Sequence, residues 1–222
     1  MVDVFLDIET VESSRTDLKE FFKKKQKHPS KMSVKKTIDD WWANKADAEL
    51  DEKIAKTSLS GDYGEIISIS FAVGDGEIRN AYRRPGDDEC IILSELNEKL
   101  QSDIGLRKVT QWIGFNHLSF DMPFIAKRAI LRGATLPHGF PMHSKPWDKN
   151  VFDVMTEWAG FGNRISQDEL CFIMGIEGKP SDITGANVGQ HYADGNHEKI
   201  KEYNNDDVNK LRQIYNRMKV VI

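Results

Sequence analysis

Val2 to Thr10, VDVFLDIET, is the stretch that most restricts how this chain can fold. Its apolar run ends on Asp7 and Glu9, two residues apart. Strand side chains repeat every second residue, so both carboxylates project from one face. Acids held side by side repel each other and are costly to keep unless something positive lies between them. A divalent cation with oxygen ligands meets that need. The same D-x-E spacing recurs at Asp47 with Glu49 and at Asp87 with Glu89, so the spacing alone does not make a site. A metal site at Asp7 and Glu9 requires further acids from distant parts of the chain.

Beyond Thr10 the sequence reads as a helical interruption, then strands, then helices. Residues 11–61 hold polar segments with helical spacing, Thr16 to Lys27 and Val34 to Lys56, broken at His28-Pro29-Ser30. Phe21, Phe22, Ile38, Trp41, Trp42, Leu50 and Ile54 give them apolar stripes for docking. This stretch is read as an insertion within a single domain spanning residues 1–222, a length that buries a sizeable core. Glu65 to Val73 (EIISISFAV) and Glu77 to Arg83, joined through Gly74-Asp75-Gly76, predict a hairpin that makes an antiparallel trio with the first strand. A helix over Asp87 to Gln101 and a strand over Val109 to Phe115 follow.

Ser119 to Arg132 predicts a helix with Phe120, Phe124, Ile125 and Ile130 on its apolar side. Pro123 falls in its first turn, where a missing amide costs least. Val151 to Val154 predicts a short fifth strand. Helices over Phe152 to Gly160, Ser166 to Met174 and Glu198 to Lys219 complete the chain, joined by glycine-rich loops. The expected class is α/β, a mixed five-stranded sheet flanked by helices.

Two later segments carry acids in telling contexts. Gly114 to Phe124, GFNHLSFDMPF, places Asp121 at a helix start directly after a strand, with Asn116 on the connecting loop. That helix N-terminus offers amides to a phosphate, although Asp121 also fits a simple first-turn acid complementing the helix dipole. In the last helix, Tyr203 and Asp207 are four apart and share a face, so a phenol and a carboxylate reach one point. Asp206, three from Tyr203, competes for the same role, and a solvated polar patch is the plain alternative.

Taken together, D-x-E ending the first strand, N-x3-F-D after a later strand and Y-x3-D in a late helix resemble the three motifs of the DEDD family of 3′-5′ exonucleases, which have the ribonuclease H-like fold. Glu202 stands where the histidine branch would place its histidine, and Tyr203 matches the tyrosine branch, which includes the proofreading domains of family B DNA polymerases. From Gly64 onward the chain is similar to stand-alone exonucleases related to those domains, through EIISISFAVGD, VFDVMTEW and DELCFIMGIEGKPSDITGANV. The lysine-rich insertion departs from the pattern.

The resemblance implies Asp7, Glu9, Asp121, Tyr203 and Asp207 as catalytic residues. Asp7, Glu9 and Asp207 would hold one divalent ion, and Asp7 would bridge to a second supported by Asp121. Mg²⁺ or Mn²⁺ suits such hard oxygen donors. Tyr203 would orient the attacking water, while Ile8, Thr10, Asn116 and Phe120 would lie against the end of the strand, Phe120 being equally well placed as core. The implied substrate is single-stranded DNA at its 3′ end, as in repair or replication, with release of nucleoside 5′-monophosphates and a polymerase acting in trans as a further partner. The alternatives are an exoribonuclease of the same superfamily, a non-catalytic nucleic-acid-binding module and a ribonuclease H-like endonuclease.

Charge distribution adds a nucleic-acid clue of its own. The net charge is −4, yet Lys19 to Lys36 holds eight lysines against Glu20 alone. That stretch therefore carries +7 and the remainder −11. A basic arm on an acidic body fits a polyanionic partner, with Lys23, Lys24 and Lys25 as candidate contacts, or else a solvated helix face. Lys179 is a lone loop lysine, read as solvated. Cys90 and Cys171 have no metal or redox spacing, and the chain enters its first strand without a basic leader, so reduced thiols and a cytoplasmic location are expected. No apolar run reaches bilayer length.

Overall fold

A computed structural model describes residues 1–178 and 181–221, and Lys179 lies outside them. Strands β1 (Val2–Val11), β2 (Glu65–Val73), β3 (Arg79–Tyr82), β4 (Val109–Gly114) and β5 (Val151–Asp153) form one sheet in the order β3-β2-β1-β4-β5. β1 pairs antiparallel with β2 and parallel with β4, β2 pairs antiparallel with β3, and β4 pairs parallel with β5. The hairpin and the antiparallel trio are as the sequence predicts.

The alternation in β1 separates two cores. Val4, Leu6 and Ile8 face a cluster built with Ile92, Leu93 and Leu96 of α4 (Glu89–Ile104) and with Met122, Phe124 and Ile125 of α5 (Asp121–Arg132). On the other face, Phe5 packs with Val208, Leu211, Ile214 and Tyr215 of the long C-terminal helix, and Val11 joins Ile200 of the same helix. Each large apolar side chain so buried contributes roughly 1.5–3 kcal/mol. Asp7 and Glu9 share the face of Phe5 and Val11, between two apolar anchors that fix their position. Opposite them on β2 stand Ser70 and Ser68, the polar pair within the apolar run from Ile66 to Val73. A register shift between Glu9 and Thr10 adds a bulge at the carboxylate end of the strand.

The insertion folds as α1 (Leu18–Lys25), α2 (Lys35–Asn44), α3 (Ala46–Ala55) and a 3-10 turn over Lys56–Leu59. The helix expected over Val34 to Lys56 breaks at Lys45, whose φ of −127° leaves the helical range. One straight helix could not bury both Trp41 and Leu50. Folded back, α2 and α3 bury both, and Trp41 Nε1 donates to Glu49 Oε1 at 2.8 Å. Phe21 and Trp42, expected in the stripes, are exposed. So is Ile130, because α5 turns Met122, Ile125, Ala126 and Ala129 inward instead.

Past β5 come α6 (Val154–Ala159), α7 (Gln167–Met174), α8 (Val188–Ala193) and α9 (His197–Met218). The sequence leaves α8 within a loop, because its two glycine-flanked turns carry too short an apolar pattern. Val188, packed against Val11, Ile183 and Ile200, holds it in place. Among the described residues, no helix is long and apolar enough to cross a membrane.

Candidate active site

β4 stops at Gly114 while β1 runs on to Val11, so the β4-facing amides at the end of β1 have no strand partner. Asp121 fills the gap, its Oδ1 accepting the Ile8 amide at 3.1 Å. The acid that starts α5 is thereby pinned to the residue between Asp7 and Glu9. Its approach depends on the 115–120 loop, which Asp153 organises from the end of β5. Asp153 accepts the amides of Asn116 (3.0 Å), Leu118 (3.1 Å) and Thr156 (3.2 Å). Asn116 adopts a left-handed φ of 59° to make this turn. A Cβ at Gly114 would lie 2.4 Å from His117 Nδ1, so only glycine lets the loop close over that imidazole.

From the other side, α9 delivers Asp207. One carboxylate oxygen from each of Asp7, Glu9 and Asp207 lies within 4.8 Å of the other two. Burial is the largest influence on all three and raises each pKa. Asp7 and Glu9 are raised well above the carboxylate range, with the charges of Asp121 and Asp207 pushing the same way. Burial pushes Asp121 up to about 7. Asp207 rises to about 6, held back by the Lys210 ammonium 3.2 Å from its Oδ1. Burial and the neighbouring Asp207, Glu9 and Asp7 raise the Tyr203 phenol, so it stays protonated at neutral pH.

Buried oxygen donors crowded together, each raising its neighbours' pKa, are a set that fits a hard divalent cation. Asp207 is the member of the cluster, while Asp206 turns to Lys210, its Oδ2 3.3 Å from Nζ. Ile8 is core and Thr10 is buried, its hydroxyl donating to Ser58 O at 2.7 Å. Phe120 is half-buried, its ring 5.5 Å from that of Phe124. Lys23, Lys24 and Lys25 lie on α1 in the insertion, outside the cluster.

Three contributors escape the motif reading. Asn204 Nδ2 donates to Asp7 Oδ2 at 2.7 Å, and its Oδ1 accepts Ser68 Oγ at 2.8 Å. Ser70 Oγ donates to Asn205 Oδ1 at 2.7 Å, and Asn80 Nδ2 bonds both serines. The two serines at period two in β2 were the available signal. Lys210 is the second, its stem passing under Gly178, where a Cβ would meet Cε at 2.1 Å. Asp153 is the third, and nothing near it in the sequence hints at its partners.

Comparison with known proteins agrees with this fold. A solved family B DNA polymerase from the hyperthermophilic archaeon Pyrobaculum calidifontis is similar in fold, with a TM-score of 0.63 at 13% identity over 98% of this chain. The chain spans 24% of that polymerase. No curated protein matches. A family model described as "Predicted 3'-5' exonuclease related to the exonuclease domain of PolB" matches residues 59–222, the span that supplies Asp121, Tyr203 and Asp207. With the ribonuclease H-like sheet and its carboxylates in place, the chain belongs to this family of predicted 3′-5′ exonucleases related to the exonuclease domain of PolB.

Proposed function

We propose that the chain acts as a single exonuclease domain that removes nucleotides from the 3′ end of single-stranded DNA, one 5′-monophosphate at a time, with two divalent ions, Mg²⁺ or Mn²⁺. The observation that carries this reading is the meeting of Asp7, Glu9 and Asp207 within 4.8 Å, with Asp121 bonded to the strand between the first two. Asp7, Glu9 and Asp207 would hold one ion, and Asp7 with Asp121 the second. When bound, such ions lower the pKa of an attacking water and stabilise a leaving 3′ oxygen.

The protein's own groups then have distinct tasks. Tyr203 is a protonated phenol beside Asp207, so it orients the attacking water by hydrogen bonding and does not take its proton. Asn204 fixes the rotamer of Asp7 through the bond to Oδ2. Asn116 and Phe120, held by Asp153 and Phe124, support the terminal nucleotides, and the backbone at Ile8 and Thr10 lies against the last of them. Lys23, Lys24 and Lys25 meet the strand further back, in exchange for their present partners. DNA is favoured by the likeness to a DNA polymerase, and a polymerase working in trans would supply the frayed ends.

Three substrates of one sequence test this reading in Mg²⁺: linear DNA and linear RNA, each 5′-labelled, and circular single-stranded DNA labelled internally. A ladder descending from the 3′ end on linear DNA, slower on RNA and absent on the circle, is the expected result. Faster trimming of RNA would make the enzyme an exoribonuclease. Cutting of the circle would make it an endonuclease. Intact strands that still shift in a gel would leave a binding module.

A further inference from the structure

The insertion between β1 and β2 has a charge pattern that the carboxylate site does not use. Along α1 the lysines are balanced internally. Lys19 pairs with Asp51, Lys24 with Glu20 at 2.7 Å, Lys23 lies 3.9 Å from Asp47, and Lys25 sits over the Phe21 ring at 4.0 Å. The acids of α3 thus answer the lysines of α1. Beyond Lys25 this balance ends. Lys27, Lys31, Lys35 and Lys36 are all exposed, and none has an ion-pair partner among the described residues. The chain holds no acid between Glu20 and Asp39.

Their position follows from the pairings. Lys19 with Asp51 and Lys23 with Asp47 set α1 and α3 antiparallel. The stem is pinned at the other end, where the Ser13 amide donates to Thr57 Oγ1 at 2.9 Å and Thr10 Oγ1 to Ser58 O, just past Glu9. α1 spans about 12 Å at 1.5 Å per residue. Lys27, two residues past the end of α1, is therefore carried about one helix length out from Leu18, and Lys31, Lys35 and Lys36 follow along the turn into α2. Trp42, exposed two turns beyond Lys35 on α2, adds an aromatic ring on the same side. Cations with a half-open aromatic ring are what a single strand meets on proteins that grip it by phosphate and base stacking.

We propose that the turn joining α1 to α2, through Lys27, Lys31, Lys35 and Lys36, is a docking surface for the sugar-phosphate backbone of the substrate strand, several nucleotides 5′ of the end being removed. The inference rests on the nucleic-acid substrate of the preceding reading. Charge complementarity carries it, since this is a concentrated positive surface on a chain that is otherwise acidic. Lys23, Lys24 and Lys25 have partners to give up, so their share is smaller.

Fluorescence anisotropy with a 5′-labelled 20-nucleotide and a 4-nucleotide DNA, in EDTA and over a range of salt, tests this directly. For the 20-mer, Lys27→Gln/Lys31→Gln/Lys35→Gln/Lys36→Gln is expected to weaken binding about tenfold at low salt. The slope of log K against log salt should shrink by about 0.7 for each phosphate that is no longer neutralised. The 4-mer should lose far less, and Lys23→Gln/Lys24→Gln/Lys25→Gln should move the 20-mer less than the quadruple change. An unchanged slope in a quadruple variant with native circular dichroism overturns the proposal. A 20-mer left uncut in Mg²⁺ while its binding still depends on the turn would overturn the exonuclease reading and leave this one standing.

Discussion

Asp7-x-Glu9 and Asp87-x-Glu89 share a spacing, and the fold gives them opposite fates. Glu89 is fully buried, and its carboxylate is saturated: Arg128 donates from Nε and Nη2 (2.6 Å), Arg132 from Nε (3.1 Å), and the Ile66 amide adds a fourth donor at 2.8 Å. Nearby, Glu65 pairs with Arg83 at 2.7 Å. Asp7 and Glu9 are gathered instead with Asp207, with Asp121 bonded to the Ile8 amide between them, and among the described residues Lys210 is the cation that reaches into that group, on one oxygen of Asp207. Burying a carboxylate is costly in either case. Where arginines supply the balance, the acid holds the fold together. Where the chain withholds it, the acids hold their protons or, as proposed for this site, take the balance from a bound cation.

The largest effects should separate the two. Asp7→Ala or Asp207→Ala is expected to lower the rate of trimming by about three orders of magnitude, on the order of 4 kcal/mol of transition-state stabilisation, with the melting temperature held or raised. Gel-based rates and thermal melts on the same preparations check this. Full activity in Asp207→Ala together with loss in Asp206→Ala would show that the two neighbours have been assigned in reverse. Glu89→Ala should do the opposite. Leaving Arg128 buried without its partner costs about 3–5 kcal/mol of stability, read as a lower denaturant midpoint, while the residual folded enzyme still cuts.

A pH series sharpens the contrast. Asp121, at about 7, and Asp207, at about 6, hold their protons more tightly folded than unfolded. The fold is therefore favoured while they are protonated and loses that contribution as pH rises from about 4 through 7. In EDTA the melting temperature should fall over this window by a few degrees, and Asp121→Asn should flatten the fall. A melting temperature rising over the same window would contradict the account. Tyr203→Phe is the smallest of these changes, with trimming slowed about tenfold and its pH profile unmoved, because a phenol that remains protonated is not the base. A shifted profile would make it one.

Much of this was legible in the chain itself. The sheet followed from period-two runs in β1 and β2, and the carboxylates from three motifs whose order and contexts resemble one family. What stayed hidden depends on partners distant in sequence. The break at Lys45 exists so that Trp41 and Leu50 can both be buried. α8 exists because Val188 finds Val11 and Ile200. Asp153 becomes the organiser of the Asn116 loop through bonds across more than thirty residues. Counting lysines 19 to 36 gave an arm of +7, but only the fold distinguishes those that α3 neutralises from those it leaves free.

The central claim is that Asp7, Glu9, Asp121 and Asp207 form a carboxylate group built to take its positive charge from divalent cations. Calorimetric titration of Mn²⁺ into EDTA-stripped, rebuffered protein at pH 7.5 tests it most directly, with Asp7→Ala and, as the look-alike, Asp47→Ala from the Asp47-x-Glu49 pair. Saturable binding is expected in the wild type, with its loss in Asp7→Ala and its retention in Asp47→Ala. Absence of saturable Mn²⁺ binding in the wild type, or equal binding in Asp7→Ala, would contradict the claim.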